Sequence, residues 1–138
     1  MTGDDVVATA RGWLGVPFLH QGRSRSGVDC AGLVICVGRE LGELAPDFDV
    51  NGYRRSPDGS MLRECDARLV AISAPEPGAV AMMRFSEEPQ HLAFVVPYRH
   101  GGFAILHALQ KSGRVVEHRL DPLWRGRIVR LFRFPGVD

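Results

Sequence analysis

The chain has 138 residues, of which 45% are hydrophobic and 24% charged, and this length favours a single domain over residues 1–138 with its own hydrophobic core. Its 17 Lys and Arg against 16 Asp and Glu give a net charge of +1, which offers no electrostatic case for a nucleic acid partner. The three cysteines, Cys30, Cys36 and Cys65, have no C-x-x-C spacing, so the sequence indicates neither a disulfide framework nor a zinc knuckle and points to a reducing compartment.

The chain begins with a predicted amphipathic helix. Thr2 and Asp5 have the spacing of a capping box, and apolar residues then recur at helical spacing as far as Gly15. Val16-Pro17 ends this pattern, and residues 18–27 form a polar loop rich in Gly, Ser and Arg. A loop of this length beside a reactive residue could line a substrate cleft.

The loop leads into Gly27-Val28-Asp29-Cys30-Ala31-Gly32-Leu33-Val34, where a second helix is predicted. Asp29 is a favoured N-cap residue, and the residues after it are apolar nearly all round until Gly42, as in a helix buried on most sides. A thiol in the first turn lies near unpaired backbone N–H groups and the positive end of the macrodipole, which favour the reactive thiolate. The N–H groups of Cys30 and Ala31 could also hold an oxyanion. The alternative is that Cys30 is simply a small buried apolar residue.

The pattern weakens from Glu43 to Pro77, where proline and glycine interrupt it. One short helix is predicted from Met61 to Leu69, with Ser60 as its cap and Cys65 on its inner face. We interpret the whole segment as the part that shapes a groove.

Five short runs with strand character follow Gly78, each bounded by Gly, Pro or polar residues. They are Val80–Phe85, His91–Val96, Phe103–Ala108, Val115–Arg119 and Ile128–Phe134. Alternation in the last run places Ile128 and Phe132 on one face. Helices followed by an antiparallel meander predict an α+β domain, with the helices packed on one side of a small curved sheet.

Two histidines are predicted to meet on this sheet. If residues 97–101 form a hairpin loop, Val96 pairs with Gly102 and His91 lies opposite His107, with Cβ atoms about 4.5–5.5 Å apart. A register slip of one would separate them, whereas a slip of two would leave them diagonal neighbours on the same face. Two histidines on one face are unusual for packing alone, so the pair indicates chemistry.

A cysteine at a helix start, a base, and a third polar group that holds the base form the arrangement of an activated thiol nucleophile. Cys30 would attack a carbonyl carbon, His91 would take its proton and later protonate the leaving amine, and His107 would fix the His91 ring. His100 and His118 are assigned to surface or packing roles. A metal site built from Cys30, His91 and His107 is conceivable, but no local ligand spacing supports it, and neither a metal nor a cofactor is expected.

Several blocks of sequence carry a family resemblance: Pro17-Phe18-Leu19-His20-Gln21-Gly22, the cysteine block quoted above, Gln90-His91-Leu92-Ala93-Phe94-Val95, and Leu106-His107-Ala108. The chain resembles the NlpC-type papain-like cell-wall peptidases from about Asp4 to Phe134, and in particular the versions encoded with phage and prophage tail genes. The resemblance implies a papain-like cysteine peptidase fold and an endopeptidase that cuts peptide stems of peptidoglycan, often next to a D-amino acid such as a D-glutamyl linkage. By position, the family's catalytic Cys, His and third polar residue fall on Cys30, His91 and His107.

The chain departs from the family pattern beside the nucleophile. The family usually has Tyr where this chain has Phe18, which cannot donate a hydrogen bond, and Ala31 replaces a common Ser. If the missing hydroxyl helped to hold substrate or an oxyanion, activity could fall about a hundredfold, unless His20 or Gln21 compensates. The candidate substrate-binding residues are those around the cysteine: Phe18, His20, Gln21, Asp29 and Ala31.

Three functions stay open from the sequence. The first is a cysteine endopeptidase acting on peptidoglycan stem peptides, for which Arg23, Arg25 and Arg54 are candidate partners of substrate carboxylates. The second is a catalytically weak structural tail or peptidoglycan-binding module, which Phe18 favours. The third is an amidase or acyltransferase that uses the same Cys-His-His set, because fold and triad do not fix the substrate.

The acidic N-terminus lacks an apolar segment, and no apolar run reaches membrane-spanning length, so the sequence predicts neither a signal peptide nor a membrane span. We therefore expect synthesis in the cytoplasm and action at the cell wall, as a virion tail component or after lysis. The expected partners are peptidoglycan stem peptides and phage tail proteins.

Overall fold

The computed structural model describes residues 1–49, 60–85 and 91–138. In chain order these residues form α1 (Gly3–Arg11), β1 (Arg23–Ser24), β2 (Gly27–Val28), α2 (Cys30–Glu40), α3 (Ser60–Arg68), β3 (Val70–Ile72), β4 (Val80–Met83), β5 (His91–Pro97), β6 (Phe103–Leu109), a 3-10 turn (Gln110–Ser112), β7 (Arg114–Arg119), α4 (Pro122–Arg125) and β8 (Ile128–Arg133). Strands β3-β8-β4-β5-β6-β7 form one antiparallel sheet in that order, and β1 pairs with β2 separately. The predicted α+β class is confirmed. Within the described ranges, none of the helices has the length and apolar character needed to cross a membrane.

The main core lies between one face of the sheet and the helices α1, α2 and α3. Strand residues such as Phe94 and Leu106 pack there with Val6 of α1, Leu33 of α2 and Cys65 of α3. The predicted packing of the N-terminal helices on one side of the sheet is therefore confirmed, as is the burial of Cys36 and Cys65.

A smaller apolar cluster covers the opposite face of the sheet. Ala81, Val95 and Ile105 belong to it, and Leu120 and Trp124 pack against them from the segment around α4. This second cluster and α4 were not predicted, because a four-residue helix carries too little sequence pattern to be recognised.

The first helix is shorter than its pattern predicts. The Asp5 carboxylate accepts the Thr2 backbone N–H at 2.8 Å, as a capping box requires, but α1 ends at Arg11 instead of Gly15. The N–H of Trp13 bonds to a carbonyl three residues back and not four, and Gly15 has a positive φ of 86°, so the chain tightens and turns away. Similarly, α3 includes Ser60 and does not begin after it.

The β5–β6 hairpin has a different register from the one predicted. Val96 pairs with Ala104 and Pro97 with Phe103, so the loop contains residues 98–102 and the pairing is shifted by two. The reason is that Gly101 and Gly102 both have positive φ, 93° and 73°, which suits a turn and excludes Gly102 from the strand. His91 and His107 are consequently diagonal neighbours on the same face and not directly opposite each other.

The last strand contains a β-bulge that overturns its predicted alternation. Met82 opposes Arg130 whereas Met83 opposes Ile128, so one residue of β8 is left over between them. Ile128 therefore packs with the smaller cluster while Phe132 lies in the main core. The prediction that Ile128 and Phe132 share a face is wrong, because a bulge reverses the inward and outward order.

Candidate active site

Asp29 organises the start of α2. Its Oδ1 accepts the N–H of Gly32 at 2.7 Å and the Arg23 guanidinium at 3.1 Å, and its Oδ2 accepts the N–H of Gln21 at 2.7 Å. The side chain is 4% exposed, and His20 Nδ1 lies 3.8 Å from Oδ2. An N-cap that also binds two residues of the preceding loop fixes that loop against the helix.

A close backbone approach completes this junction. A Cβ at Gly32 would lie 2.1 Å from the carbonyl oxygen of Gly22, so only glycine permits the loop to contact the first turn of α2 at this point. The Phe18 backbone bridges to Val28. Of the candidate substrate-binding residues, Phe18, His20, Gln21 and Asp29 precede Cys30 in this segment and Ala31 follows it.

Cys30 is the first residue of α2, and its backbone position is set by Asp29. The amides of Gly32 and Leu33 bond to Asp29, through its side chain and its carbonyl respectively. The backbone groups of Leu92, Ala31 and Cys30 itself hydrogen-bond to the Cys30 thiol. Because Leu92 directly follows His91 on β5, this contact brings the thiol beside the backbone of the predicted base.

The ionisation of Cys30 is opposite to the sequence-based expectation. Burial raises the pKa of the thiol to about 12, and the negative charge of Asp29 raises it further, against the smaller effect of the backbone hydrogen bonds. The residue keeps some exposed surface, but the thiol is enclosed by protein atoms. The thiol form of Cys30 is therefore favoured over the thiolate. The cost of removing the thiolate charge from water exceeds its stabilisation by the backbone N–H groups at the start of the helix.

Three histidines form a hydrogen-bonded chain across neighbouring strands. His91 Nε2 lies 2.6 Å from His107 Nδ1, and His107 Nε2 lies 2.9 Å from His118 Nε2. His118 Nδ1 lies 3.1 Å from the carbonyl oxygen of Arg119. We call His91, His107 and His118 the histidine chain; the structure brings the two predicted histidines together and adds a third.

His118 was assigned to a surface or packing role, and its contact with His107 corrects that assignment. The second hairpin contains the signal that could have revealed it. Leu109 pairs with Arg114 and Ile105 with His118, so His118 lies on the face of the sheet that also carries His107. Applying the hairpin argument to β6 and β7 as well as to β5 and β6 would have predicted this contact.

Aromatic side chains cover the histidine chain. Trp124 of α4 contacts the His107 ring edge to face at a centroid distance of 5.1 Å and the His118 ring at 5.0 Å. Phe85 lies 4.9 Å from the His91 ring, and the Arg127 guanidinium lies over both Phe85 and Trp124, at 4.8 and 4.5 Å. This cover shields the buried imidazoles from water.

Burial keeps the two inner imidazoles neutral. Desolvation lowers the pKa of His91 to about 4, and the positive charge of Arg127 lowers it further. The pKa of His107 is also lowered, chiefly by burial. A neutral imidazole is the form that can accept a proton, so His91 is in the state that a general base needs.

The other predicted substrate-binding residues differ in exposure. Gln21 is exposed and has a positive φ of 60°, His20 is partly exposed, and Phe18 packs on the edge of the main core. Asp29 and Ala31 are buried, and the Asp29 oxygens already accept hydrogen bonds from the protein.

Arg23 and Arg25 form ion pairs with carboxylates of the protein itself. Arg23 pairs with Asp49 at 2.7 Å as well as with Asp29, and Arg25 pairs with Glu40 at 3.1 Å. Arg54 lies outside the described residues. The two described arginines thus have protein partners at the positions predicted to meet substrate carboxylates.

An apolar pocket has Ala31 and Leu92 in its lining, the residues that follow the predicted nucleophile and base in the sequence. The other lining residues come from α2, from α3 and its surroundings, and from the end of the chain: Val34, Ile35, Leu44, Phe48, Met61, Glu64, Cys65, Arg68, Leu69 and Phe134. The described part of the segment from Glu43 to Pro77 thus lines a pocket, and residues 50–59 of that segment lie outside the described residues.

In the described ranges, no three or more His, Cys, Asp or Glu side chains are arranged to hold a metal ion.

A cysteine at the start of a buried helix, packed beside an antiparallel sheet that carries a histidine pair, defines the papain-like class of α+β fold. A sequence profile of the NlpC/P60 family matches residues 15–133, and the chain belongs to that family. The predicted relationship to NlpC-type proteins is therefore confirmed, whereas the closer likeness to phage tail versions stays a prediction.

Solved structures share the fold at low sequence identity. The chain is similar to the NlpC/P60 domain of the peptidoglycan hydrolase SagA, with 20% identity and a TM-score of 0.66 over 96% of this chain and 98% of that one. It is similar to an NlpC/P60 family protein from Bacillus cereus, with 19% identity and a TM-score of 0.72 over 97% of this chain and 40% of that one. An N-acetylmuramoyl-L-alanine amidase from Bacteroides uniformis matches with 14% identity and a TM-score of 0.62 over 95% and 98% of the two chains. A comparison with curated protein sequences returned no match.

Proposed function

We propose that the protein is a cysteine peptidase that hydrolyses peptide stems of bacterial peptidoglycan, with Cys30 as nucleophile, His91 as general base and His107 as the residue that orients His91. The observation that carries this proposal is the 2.6 Å contact between His91 Nε2 and His107 Nδ1. It occupies Nε2 of His91, and we assign the other ring nitrogen, Nδ1, to accept the proton of the thiol. Nucleophile, base and orienting group are the three parts that thiol catalysis needs.

The reaction begins from a neutral pair. With the Cys30 pKa raised to about 12 and the His91 pKa lowered to about 4, the thiol keeps its proton and the imidazole has none to give. The proton therefore moves from Sγ to His91 Nδ1 as Sγ bonds to the substrate carbonyl carbon. The charge that develops on the carbonyl oxygen is met by the N–H groups of Cys30 and Ala31, which already face the thiol.

The second half of the reaction returns the proton. His91 donates it to the leaving amine as the C–N bond breaks, which leaves an acyl group on Cys30 as a thioester. Water then attacks the thioester carbon, and His91 accepts a proton from that water. The thiolate leaves, takes the proton back and restores the neutral pair, so the net reaction is hydrolysis of one amide bond.

Peptidoglycan is supported as the substrate class by the family and by its relatives. The SagA domain is named as part of a peptidoglycan hydrolase, and the apolar pocket beside Ala31 and Leu92 suits the small aliphatic side chains of stem peptides. Within this class we propose endopeptidase action, at a D-glutamyl linkage as the sequence resemblance implies. We propose Phe18, His20 and Gln21 as the exposed or partly exposed residues that meet substrate, and we assign Asp29 to holding the loop. The same resemblance supports association with a phage or prophage tail.

The test is mass spectrometry of purified peptidoglycan after incubation with the wild type, Cys30→Ala and Cys36→Ala. Cys36 is the matched control because it lies in the same helix and is buried in the core. New stem-peptide fragments from the wild type and Cys36→Ala, and none from Cys30→Ala, are expected. Fragments from Cys30→Ala would exclude Cys30 as nucleophile.

The fragments also separate the alternative functions. An intact stem peptide released from glycan would identify an amidase, the activity named for the Bacteroides uniformis structure, and would contradict the endopeptidase proposal. No fragments from any folded variant, with binding to the cell wall, would favour a structural tail or binding module. A cleaved bond within the stem identifies the endopeptidase and the linkage.

A further inference from the structure

We propose that His118 and the backbone carbonyl of Arg119 form a positioning pair that sets the direction of hydrogen bonding through the histidine chain and so keeps His91 Nδ1 free of a proton. The inference deepens the proposed function, because it assigns the tautomer on which the base depends. It concerns a residue that lies beyond the Cys30, His91 and His107 set.

The three imidazoles are stepped regularly across the sheet. In the β6–β7 pairing Val116 lies opposite His107, and His118 is two residues further along. In β5–β6 the same offset of two separates His91 from the position opposite His107. Diagonal neighbours on one face are about 7–8 Å apart at Cα, within reach of aromatic side chains, and the ring centroids are 4.9 and 5.0 Å apart.

The Arg119 carbonyl at the end of the histidine chain determines which nitrogen of each imidazole carries its proton. A carbonyl oxygen only accepts, so His118 Nδ1 must be the donor to Arg119. While His118 holds a single proton, that proton lies on Nδ1 and its Nε2 accepts, which requires His107 to donate from Nε2. Neutral His107 accepts at Nδ1, which requires His91 to donate from Nε2. Neutral His91 is therefore left with an unprotonated Nδ1.

The surroundings of His91 and His107 favour the neutral form of both imidazoles. His107 is fully buried and His91 is 8% exposed, Trp124 and Phe85 cover the rings, and Arg127 is the cation that acts on His91. Each of these groups disfavours a second proton on the inner imidazoles.

Without an acceptor at position 118, the order of donors can reverse. His107 could then carry its proton on Nδ1 and donate it to His91 Nε2, and His91 would hold its own proton on Nδ1. That tautomer cannot accept a proton from Cys30. His118 thus acts through His107 and His91 and does not contact the reacting atoms, so it is a positioning residue.

The first measurement needs no variant and no substrate. Ring 15N NMR of the histidines in the wild type at neutral pH reports which nitrogen of each imidazole carries a proton. A protonated Nε2 and an unprotonated Nδ1 on His91, with a protonated Nε2 on His107, are expected. A proton on His91 Nδ1 as the major form would overturn the inference, whether or not peptidoglycan is the substrate.

Two variants that differ by one methylene then test the acceptor. In His118→Gln the amide oxygen stands near the former Nε2 and can accept from His107, whereas in His118→Asn the amide is too short. Since a net hydrogen bond corresponds to about a threefold to tenfold bias, kcat should fall by about that factor in His118→Asn, with KM within about twofold. His118→Gln should restore kcat, and His100→Asn, at an exposed histidine, should leave it unchanged.

The NMR readout and the kinetic readout fail in different ways. Wild-type tautomers and kcat retained in His118→Asn would overturn the positioning role. A higher KM with unchanged kcat would show an effect on substrate binding and would also overturn the positioning role. Absence of turnover by the wild type, with the expected tautomers, would refute the proposed function and leave the positioning pair supported.

Discussion

Replacing Asp29 by alanine should destabilise the protein far more than removing an ordinary helix cap. The substitution removes two backbone hydrogen bonds, to Gly32 and Gln21 at 2.7 Å each, and one to the Arg23 guanidinium at 3.1 Å. Loss of an N-cap costs about 1 kcal/mol, and unpairing buried groups adds about 1–3 kcal/mol. The two contributions add to about 2–4 kcal/mol. Because Arg23 keeps its hydrogen bond to Asp49 at 2.7 Å, we expect the free energy of unfolding to fall by about 3 kcal/mol.

Asp121 provides the matched control. It caps α4 in the same way, accepting the N–H of Trp124 at 2.9 Å, but it makes that bond at a four-residue helix. Asp121→Ala should therefore cost about 1 kcal/mol or less. Asp29→Asn keeps an oxygen for Gly32 and should fall between the two.

Urea unfolding of the three variants and the wild type measures these differences as changes in the free energy of unfolding. A loss in Asp29→Ala no greater than that in Asp121→Ala would refute the argument that Asp29 holds the loop to the helix. The Asn variant also tests electrostatics, since the Asp29 charge is one cause of the raised Cys30 pKa. Its removal should lower that pKa and speed alkylation of Cys30 at a given pH.

Further predictions follow from the same junction. With a thiol pKa raised to about 12, the alkylation rate of Cys30 should climb through the alkaline range; a plateau below neutral pH in a pH–rate profile would instead reveal a standing thiolate. Gly32→Ala should cost about 1–3 kcal/mol in urea unfolding and reduce turnover, because its Cβ meets the Gly22 carbonyl. Gly126→Ala, whose nearest atom is 3.4 Å away, should be near neutral, and equal losses would contradict this. Phe18→Tyr should raise kcat by up to about a hundredfold; unchanged kcat would show that the missing hydroxyl does not limit the rate.

The sequence predicts the long elements better than the short connections between them. The long apolar run after Asp29 identifies α2, and strong strand runs identify β5 and β6, which carry Cys30, His91 and His107. By contrast, β1 and β2 have two residues each and α4 has four, which is too short for a periodic pattern. Elements of this size form because the rest of the fold holds them, and that information is not local.

Register and bulges were missed for a related reason. Whether Gly102 lies in the turn or the strand depends on its φ of 73°, and glycine is compatible with both alternatives. The bulge opposite Met82 and Met83 likewise leaves no compositional mark. The shift of two residues preserved the shared face of His91 and His107, since side chains alternate with a period of two.

The thiol ionisation shows where a local rule fails. The helix start predicts a thiolate because it considers only the first turn of α2 and its macrodipole. The fold adds what the sequence does not display, namely the protein atoms that enclose the Cys30 thiol and the fixed charge of Asp29 beside it. The same desolvation keeps His91 neutral. In the proposed mechanism, a neutral thiol and a neutral His91 have no charge to hold His91 in its productive tautomer, so we infer that the direction of hydrogen bonding comes from a group that only accepts. The Arg119 backbone carbonyl at the far end of the histidine chain is such a group while His118 holds one proton, since a carbonyl oxygen only accepts.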